Sequence, residues 1–110
     1  MLAGRNNAQN DLVTTRLARS TDTWLHAQGM PGSHVVIQVH PVPQQTLLEA
    51  AHIAAYFSRG KHSNNVPIDY TLIKNVHKPS GAKPGFVTYT SQKTIFITPD
   101  EALVKRLIQP

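Results

Sequence analysis

The spacing of apolar residues changes several times along the chain, and each change predicts an element. From Thr46 onward, Leu47, Leu48, Ala50, Ala51, Ile53, Ala54, Ala55 and Phe57 recur at amphipathic-helix spacing. Thr46-Leu47-Leu48-Glu49 has the form of a capping box, in which the hydroxyl accepts from a first-turn amide and the carboxylate reaches back to the cap amide. The helix is therefore predicted to open at Thr46 and to stop at Gly60, read as a left-handed C-terminal residue. Its alanines predict close packing on a sheet. Thr98-Pro99-Asp100-Glu101 predicts a second start of the same kind, with Lys105 and Arg106 in the last turn as the helix dipole favours. Leu103 and Leu107 form its predicted buried stripe.

Between these helices the period falls to two and Val, Ile, Tyr, Phe and Thr dominate, which is the strand signal. Strands are predicted from Trp24 to Gln28, His34 to His40, Ile68 to Val76, Phe86 to Thr90 and Thr94 to Ile97, the last two joined as a hairpin through Ser91-Gln92-Lys93. In the second strand Val35, Ile37 and Val39 share the core face, and His34, Gln38 and His40 point the other way. Leu12, Val13, Leu17 and Ala18 have helical spacing, so a short helix is predicted from about Ala8. The expectation is an α+β fold: one compact domain over residues 1–110, with a mostly antiparallel sheet of about four or five strands and about three helices.

Composition narrows the function. A chain of 110 residues has room for one core and not two, and the absence of cysteine excludes disulfides, thiolate catalysis and Cys-based zinc sites. Eleven Lys and Arg against six Asp and Glu give a net charge of +5, a field suited to a polyanion. Apolar runs such as Val35 to Ile37 are too short to span a bilayer, and Met1 to Arg5 lacks the apolar core of a signal peptide, so no membrane partner and a cytoplasmic location are expected.

Two loops offer chemistry. His77-Lys78-Pro79-Ser80-Gly81-Ala82-Lys83-Pro84-Gly85 combines two lysines, a hydroxyl and glycine amides that suit a phosphate, although it is not a Walker loop, because a proline and a strand follow Lys83. From composition alone, a solvated connector is an equal reading. Pro31-Gly32-Ser33-His34 is a tight turn into a strand, and its successive serine and histidine side chains point to opposite faces, so they do not form a nucleophile and base pair. Of the six histidines, His26 with His34, or His52 with Glu49, lack a third metal ligand, and neither metal nor cofactor is expected. The carboxylates not taken by helix starts are Asp11, Asp22 and Asp69, a thin supply for acid–base catalysis, and structural roles are favoured. Basic residues are spread along the chain, and Trp24, Tyr56, Tyr70 and Tyr89 read as core before they read as stacking platforms.

The ordered motifs Gly4-Arg5-Asn6-Asn7-Ala8-Gln9-Asn10-Asp11, Asp22-x-Trp24-Leu25-His26 and Pro31-Gly32-Ser33-His34-Val35-Val36 resemble the NFACT-R domain, the RNA-binding module at the C-terminal end of NFACT proteins. Glu49-Ala50-Ala51-x-x-Ala54-Ala55-x-x-Ser58, Val66-Pro67-x-Asp69-Tyr70-Thr71, Lys78-Pro79-x-Gly81-Ala82-Lys83-Pro84-Gly85 and Lys93-Thr94-Ile95 to Pro99-Asp100 continue the match in the family's order over nearly the whole chain. The resemblance implies an α+β module that contacts RNA, tRNA in particular. Full-length relatives act in ribosome-associated quality control, where they bind the large ribosomal subunit carrying an obstructed peptidyl-tRNA and recruit tRNA. Those relatives place a large NFACT-N domain, a helix-hairpin-helix segment and a coiled coil ahead of this module, so elongation of the stalled chain is not implied for these residues. The fibronectin-binding name borne by some relatives is not carried over.

Matched position by position, the RNA-binding candidates are Arg5, Asn6, Asn7, Asn10, Asp11, His26, Gly32, Ser33, His34, Lys78, Gly81 and Lys83, with no catalytic residue. The asparagines are expected to hold the Arg5 backbone and so to fix its guanidinium for phosphate. The leading expectation is a non-enzymatic RNA-binding module for tRNA or large-subunit RNA, or a stand-alone accessory to translation or tRNA modification. One rival is an RNA-processing enzyme using His26, His34 and Asp69; another is an adaptor that docks on ribosomal protein or a tRNA-modifying enzyme through its sheet edge or last helix.

Overall fold

The computed structural model describes residues 1–108. Along the chain run β1 (Leu2–Ala3), α1 (Asn7–Asp11), a π-helix (Leu12–Leu17), β2 (Thr23–Ala27), β3 (Val35–Ile37), α2 (Gln44–Tyr56), β4 (Val66–Leu72), a 3-10 turn (Ile73–Asn75), β5 (Val76–His77), β6 (Thr88–Tyr89), β7 (Lys93–Ile97) and α3 (Glu101–Ile108). The main sheet is a five-stranded antiparallel sheet in the order β1-β3-β2-β4-β7, and β5 pairs with β6 in a separate two-stranded ribbon. This is the expected α+β class.

Alternation decides which residues meet. Leu25 and Ala27 of β2, Val35 and Ile37 of β3, and Val66 and Ile68 of β4 face α2, whose Ala50, Ala51, Ile53, Ala54 and Ala55 pack down on them. Each large aliphatic side chain buried there contributes roughly 1.5–3 kcal/mol of transfer free energy. The alanines let the helix backbone approach the sheet. Val104 of α3 closes the end of this core and is fully buried, whereas Leu103 and Leu107 are half-buried on either side of it.

Several local expectations give way to longer-range contacts. Helix α2 opens at Gln44 with Pro43 as its cap residue, so Thr46 lies inside the first turn and Glu49 accepts from Gln45 Nε2 at 3.2 Å instead of closing a box. Asp100, not Thr98, caps α3, its Oδ1 accepting from the Leu103 amide at 3.1 Å, while Thr98 Oγ1 accepts from the Asn65 amide at 3.2 Å. Gly60 is not left-handed; it is buried, and an added Cβ would be crowded, 3.0 Å from Val66 and 3.2 Å from the Met30 sulfur. The second strand stops at Ile37, before Pro41 and Pro43, and Val39 is 56% exposed instead of core.

The third predicted strand breaks at the 3-10 turn, so that Val76 and His77 leave the main sheet. The predicted 86–97 hairpin is not formed: β6 pairs with β5, whereas β7 pairs with β4 from Val66↔Ile97 to Tyr70↔Lys93. Near the N-terminus the predicted helix exists, but its second half is π. The Ala18 amide bonds to the carbonyl of Val13, five residues back, at 3.1 Å. That wider turn lays the consecutive Val13 and Thr14 on the sheet and swings Leu12 and Leu17 outward.

Candidate nucleic-acid interface

The face of the sheet opposite α2 carries the candidate residues. Alternation that sends Leu25 and Val35 toward α2 sends Trp24, His26, His34, Val36 and Asp69 the other way, beneath the π-helix and the β5–β6 ribbon. Trp24 is fully buried, stacks on His26 with centroids 5.7 Å apart, meets His34 edge-on at 5.3 Å and lies 4.7 Å from Tyr89. Its indole N–H donates to Thr14 Oγ1 at 3.2 Å, and that hydroxyl in turn is 2.7 Å from His34 Nδ1. The contact is one that a neutral His34 imidazole makes.

Burial favours that neutral form. It holds His34 down at about 4, helped by the neighbouring His26, while the charge of Asp11 and the Gly85 backbone pull the other way. Burial also lowers His26, opposed by the backbone of Gly32 and the charge of Asp69. Asp69 itself accepts from Tyr89 OH at 2.6 Å, Thr94 Oγ1 at 2.6 Å and Gln28 Nε2 at 3.1 Å. Burial and then this contact push the Tyr89 phenol up. The partners of Asp69 are three neutral donors, not an imidazole, and the arrangement reads as a satisfied buried carboxylate.

The amino-terminal motif wraps the turn that precedes β3. Asn6 caps α1 by accepting from the Gln9 amide at 2.8 Å. Asn10 is buried and acts as a bracket: its Nδ2 donates to the Gly32 carbonyl at 3.2 Å and its Oδ1 accepts from the His34 amide at 3.0 Å. Gly4 must be glycine here, since a Cβ would lie 2.2 Å from Asn10 Oδ1. The expectation that asparagines hold the Arg5 backbone is corrected: Gln9 Oε1 accepts from the Arg5 amide at 2.9 Å, and Phe57 orients its guanidinium, whose carbon lies 3.9 Å from the ring centroid. Arg5 is exposed, so its guanidinium N–H groups stay available to a ligand.

On the far side of the turn, the Ser33 amide donates to the Phe57 carbonyl at 3.1 Å and the Arg59 amide to the Pro31 carbonyl at 3.0 Å. These pairings line one open cleft of about 470 Å³ with Arg5, Asn6, Asn7, Gly32, Ser33 and Arg59. A second cleft of about 360 Å³ lies beyond Pro31, which borders both, and takes in His26, His34, Met30 and Phe86. Ser33 and His34 thus serve different clefts, as their alternation requires.

Asp11 ties the second loop to this surface. Its Oδ1 accepts from the Lys78 ammonium at 3.0 Å and from the Gly85 amide at 2.7 Å, and Lys78 also donates to the Lys83 carbonyl. Burial alone would raise the Asp11 carboxyl, but the Gly85 amide and Lys78 together hold it below its ordinary value. Gly85 sits at φ +83°, a conformation that favours glycine, with Asn7 packed against it. Lys78 is therefore a loop clamp, while Lys83 projects into solvent and Gly81 stands exposed at the loop tip. Sequence reasoning left Phe57, Arg59 and Phe86 out of the site. No local motif marks them, because their place depends on pairing across the chain.

Among the described residues, no group of three His, Asp or Glu side chains is arranged to hold a metal ion, and no helix is long and apolar enough to cross a membrane. Comparison with known proteins points to one family. RqcH of Bacillus subtilis, a Rqc2 homolog, is 57% identical over 107 residues, covering 97% of this chain and 19% of that protein. RqcH of Streptococcus suis is 47% identical over 108 residues, 97% of this chain and 20% of its own length. The chain thus spans about one fifth of the length of these relatives. The solved C-terminal part of the fibronectin/fibrinogen-binding protein from Streptococcus suis superposes with a TM-score of 0.90 at 48% identity, over 96% of this chain and 43% of that one. The model of the NFACT protein RNA binding domain matches residues 1–91, and β7 and α3, which lie beyond that match, complete the same sheet and core. The chain belongs to the NFACT RNA-binding domain family.

Proposed function

We propose that this chain is a non-enzymatic RNA-binding module that grips the phosphate backbone of tRNA or large-subunit ribosomal RNA within ribosome quality control. The observation that carries the reading is the convergence of Arg5 and Arg59 on one cleft with the Gly32-Ser33 turn, with no carboxylate in its lining. Guanidinium groups offer paired donors to phosphate oxygens, and the Phe57 ring holds one of them at low entropic cost. Lys83 extends the positive surface along the clamped loop. The names of the relatives, both Rqc2 homologs, support the cellular setting.

Binding to deacylated tRNA and to an unrelated duplex RNA across a salt series tests this. Affinity is expected to fall steeply with salt and to favour tRNA, and Arg59→Ala and Lys83→Ala are each expected to reduce the salt slope by about one. Equal slopes for wild type and both variants, or no binding at low salt by folded protein, would overturn the reading.

A further inference from the structure

The two clefts differ in chemistry as well as position. The first is cationic and polar. The second has a floor of buried Trp24 and His34, with partly exposed His26 and Met30 beside it and Phe86, 56% exposed, at its mouth. What distinguishes Phe86 from other exposed apolar side chains is its place at the rim of a cleft already lined by aromatic rings, where the lining offers flat surfaces to a planar ligand. Neither cleft is lined by an acidic residue, and Pro31 is their common wall.

From this juxtaposition we propose that the second cleft receives an unpaired nucleobase of the same RNA strand whose phosphates lie against Arg5 and Arg59. The inference rests on the phosphate-binding reading and adds to it a contact that distinguishes looped or single-stranded RNA from a duplex. Bases paired within a helix are stacked and cannot present a face to Phe86, whereas a splayed base can lie against it with its sugar-phosphate passing over Pro31. The partly exposed imidazole, His26, fits a base better than a phosphate: burial keeps it toward the uncharged form, so it offers a flat ring and not a counter-charge. Gly29 and Gly85 keep the walls of the cleft thin. The asymmetry has a consequence for specificity, because phosphate contacts position the strand and only the base contact reports whether that strand is paired.

The test uses an RNA hairpin, the same hairpin carrying one abasic loop nucleotide at each position in turn, and a perfect duplex of equal charge. Wild type is expected to prefer the hairpin over the duplex. Phe86→Ala, at a solvent-facing position, is expected to lower hairpin affinity roughly five- to hundredfold with an unchanged salt slope, and Phe86→Trp to restore it. One abasic hairpin is expected to lose the same factor, with no further loss on Phe86→Ala. If Phe86→Ala leaves hairpin affinity intact while Arg59→Ala still flattens the salt slope, the base cleft is overturned and the phosphate reading survives. That result would assign the exposed ring to a protein contact. If wild type binds hairpin and duplex equally, the base contact is likewise wrong, and if it binds neither, both readings fall.

Discussion

The two faces of the central sheet are built from alternate residues of the same strands, yet they solve different problems. Toward α2, Leu25, Ala27, Val35, Ile37 and Ile68 meet four helical alanines and Ile53 in a core built mainly of aliphatic side chains. On the other side, Trp24, His34 and Asp69 are joined to Thr14, Tyr89, Thr94 and Gln28 by directed bonds, and His26 stacks on Trp24. The aliphatic face holds by volume and tolerates small changes. The polar face holds by partners, and each of its groups is costly to orphan. What that second arrangement provides is position: Asn10, Thr14 and His34 fix the Pro31–His34 turn, and the turn is the wall between the two clefts.

The largest test of this contrast is Trp24→Ala. The side chain is fully buried against two histidines and Tyr89, and its removal also deprives Thr14 of a donor. A loss of about 3–5 kcal/mol is expected, read by urea denaturation, which for a domain of this size threatens folding outright. A loss below about 1 kcal/mol would mean that the polar face is not a second core.

Acid offers the next largest effect. His34 titrates near 4 in the folded protein and at about 6.5 when unfolded, so between those values the unfolded chain binds more protons and stability rises with pH. Acidification from 6.5 to 4 is therefore expected to remove roughly 2–3 kcal/mol. His26, lowered in the same direction, adds to this slope, while Asp11 acts only below its ordinary value of 3.8. His34→Gln, which cannot titrate, is expected to flatten the pH dependence of the urea midpoint between pH 4 and 6.5. A slope unchanged by that substitution would move the acid sensitivity elsewhere.

The same contrast explains what was legible beforehand. Period-two alternation in Val35 and Ile37, and helical spacing from Leu47 to Ala55, identified the aliphatic face, because burial of aliphatic residues is the signal that patterning carries. The alternate residues His34, His26 and Asp69 carry the polarity of a solvated face, so nothing in the pattern separates a buried polar network from an exposed one. Asn10 illustrates the difficulty: it belongs to a motif that resembles the family, yet its bracket reaches Gly32 and His34, more than twenty residues away in sequence. Arg59 and Phe86 were invisible for the same reason, being placed by chain crossings. The strands that erred, after Leu72 and before Lys93, are those whose partner is chosen by tertiary contact and not by local propensity.

The smallest effect sharpens the comparison most. Ile37 is 1% exposed, faces α2 and has no part in either cleft. Ile37→Val removes one methylene and is expected to cost about 0.5–1.5 kcal/mol in urea denaturation, since α2 and the sheet can partly close the space. Its neighbour in sequence, Val36, lies on the polar face beside Trp24. If stability on the α2 face is independent of the RNA surface, Ile37→Val leaves tRNA affinity and its salt slope unchanged while the urea midpoint falls. A parallel loss of affinity would show instead that packing against α2 sets the position of the Pro31–His34 turn, and the two faces would then be one coupled unit.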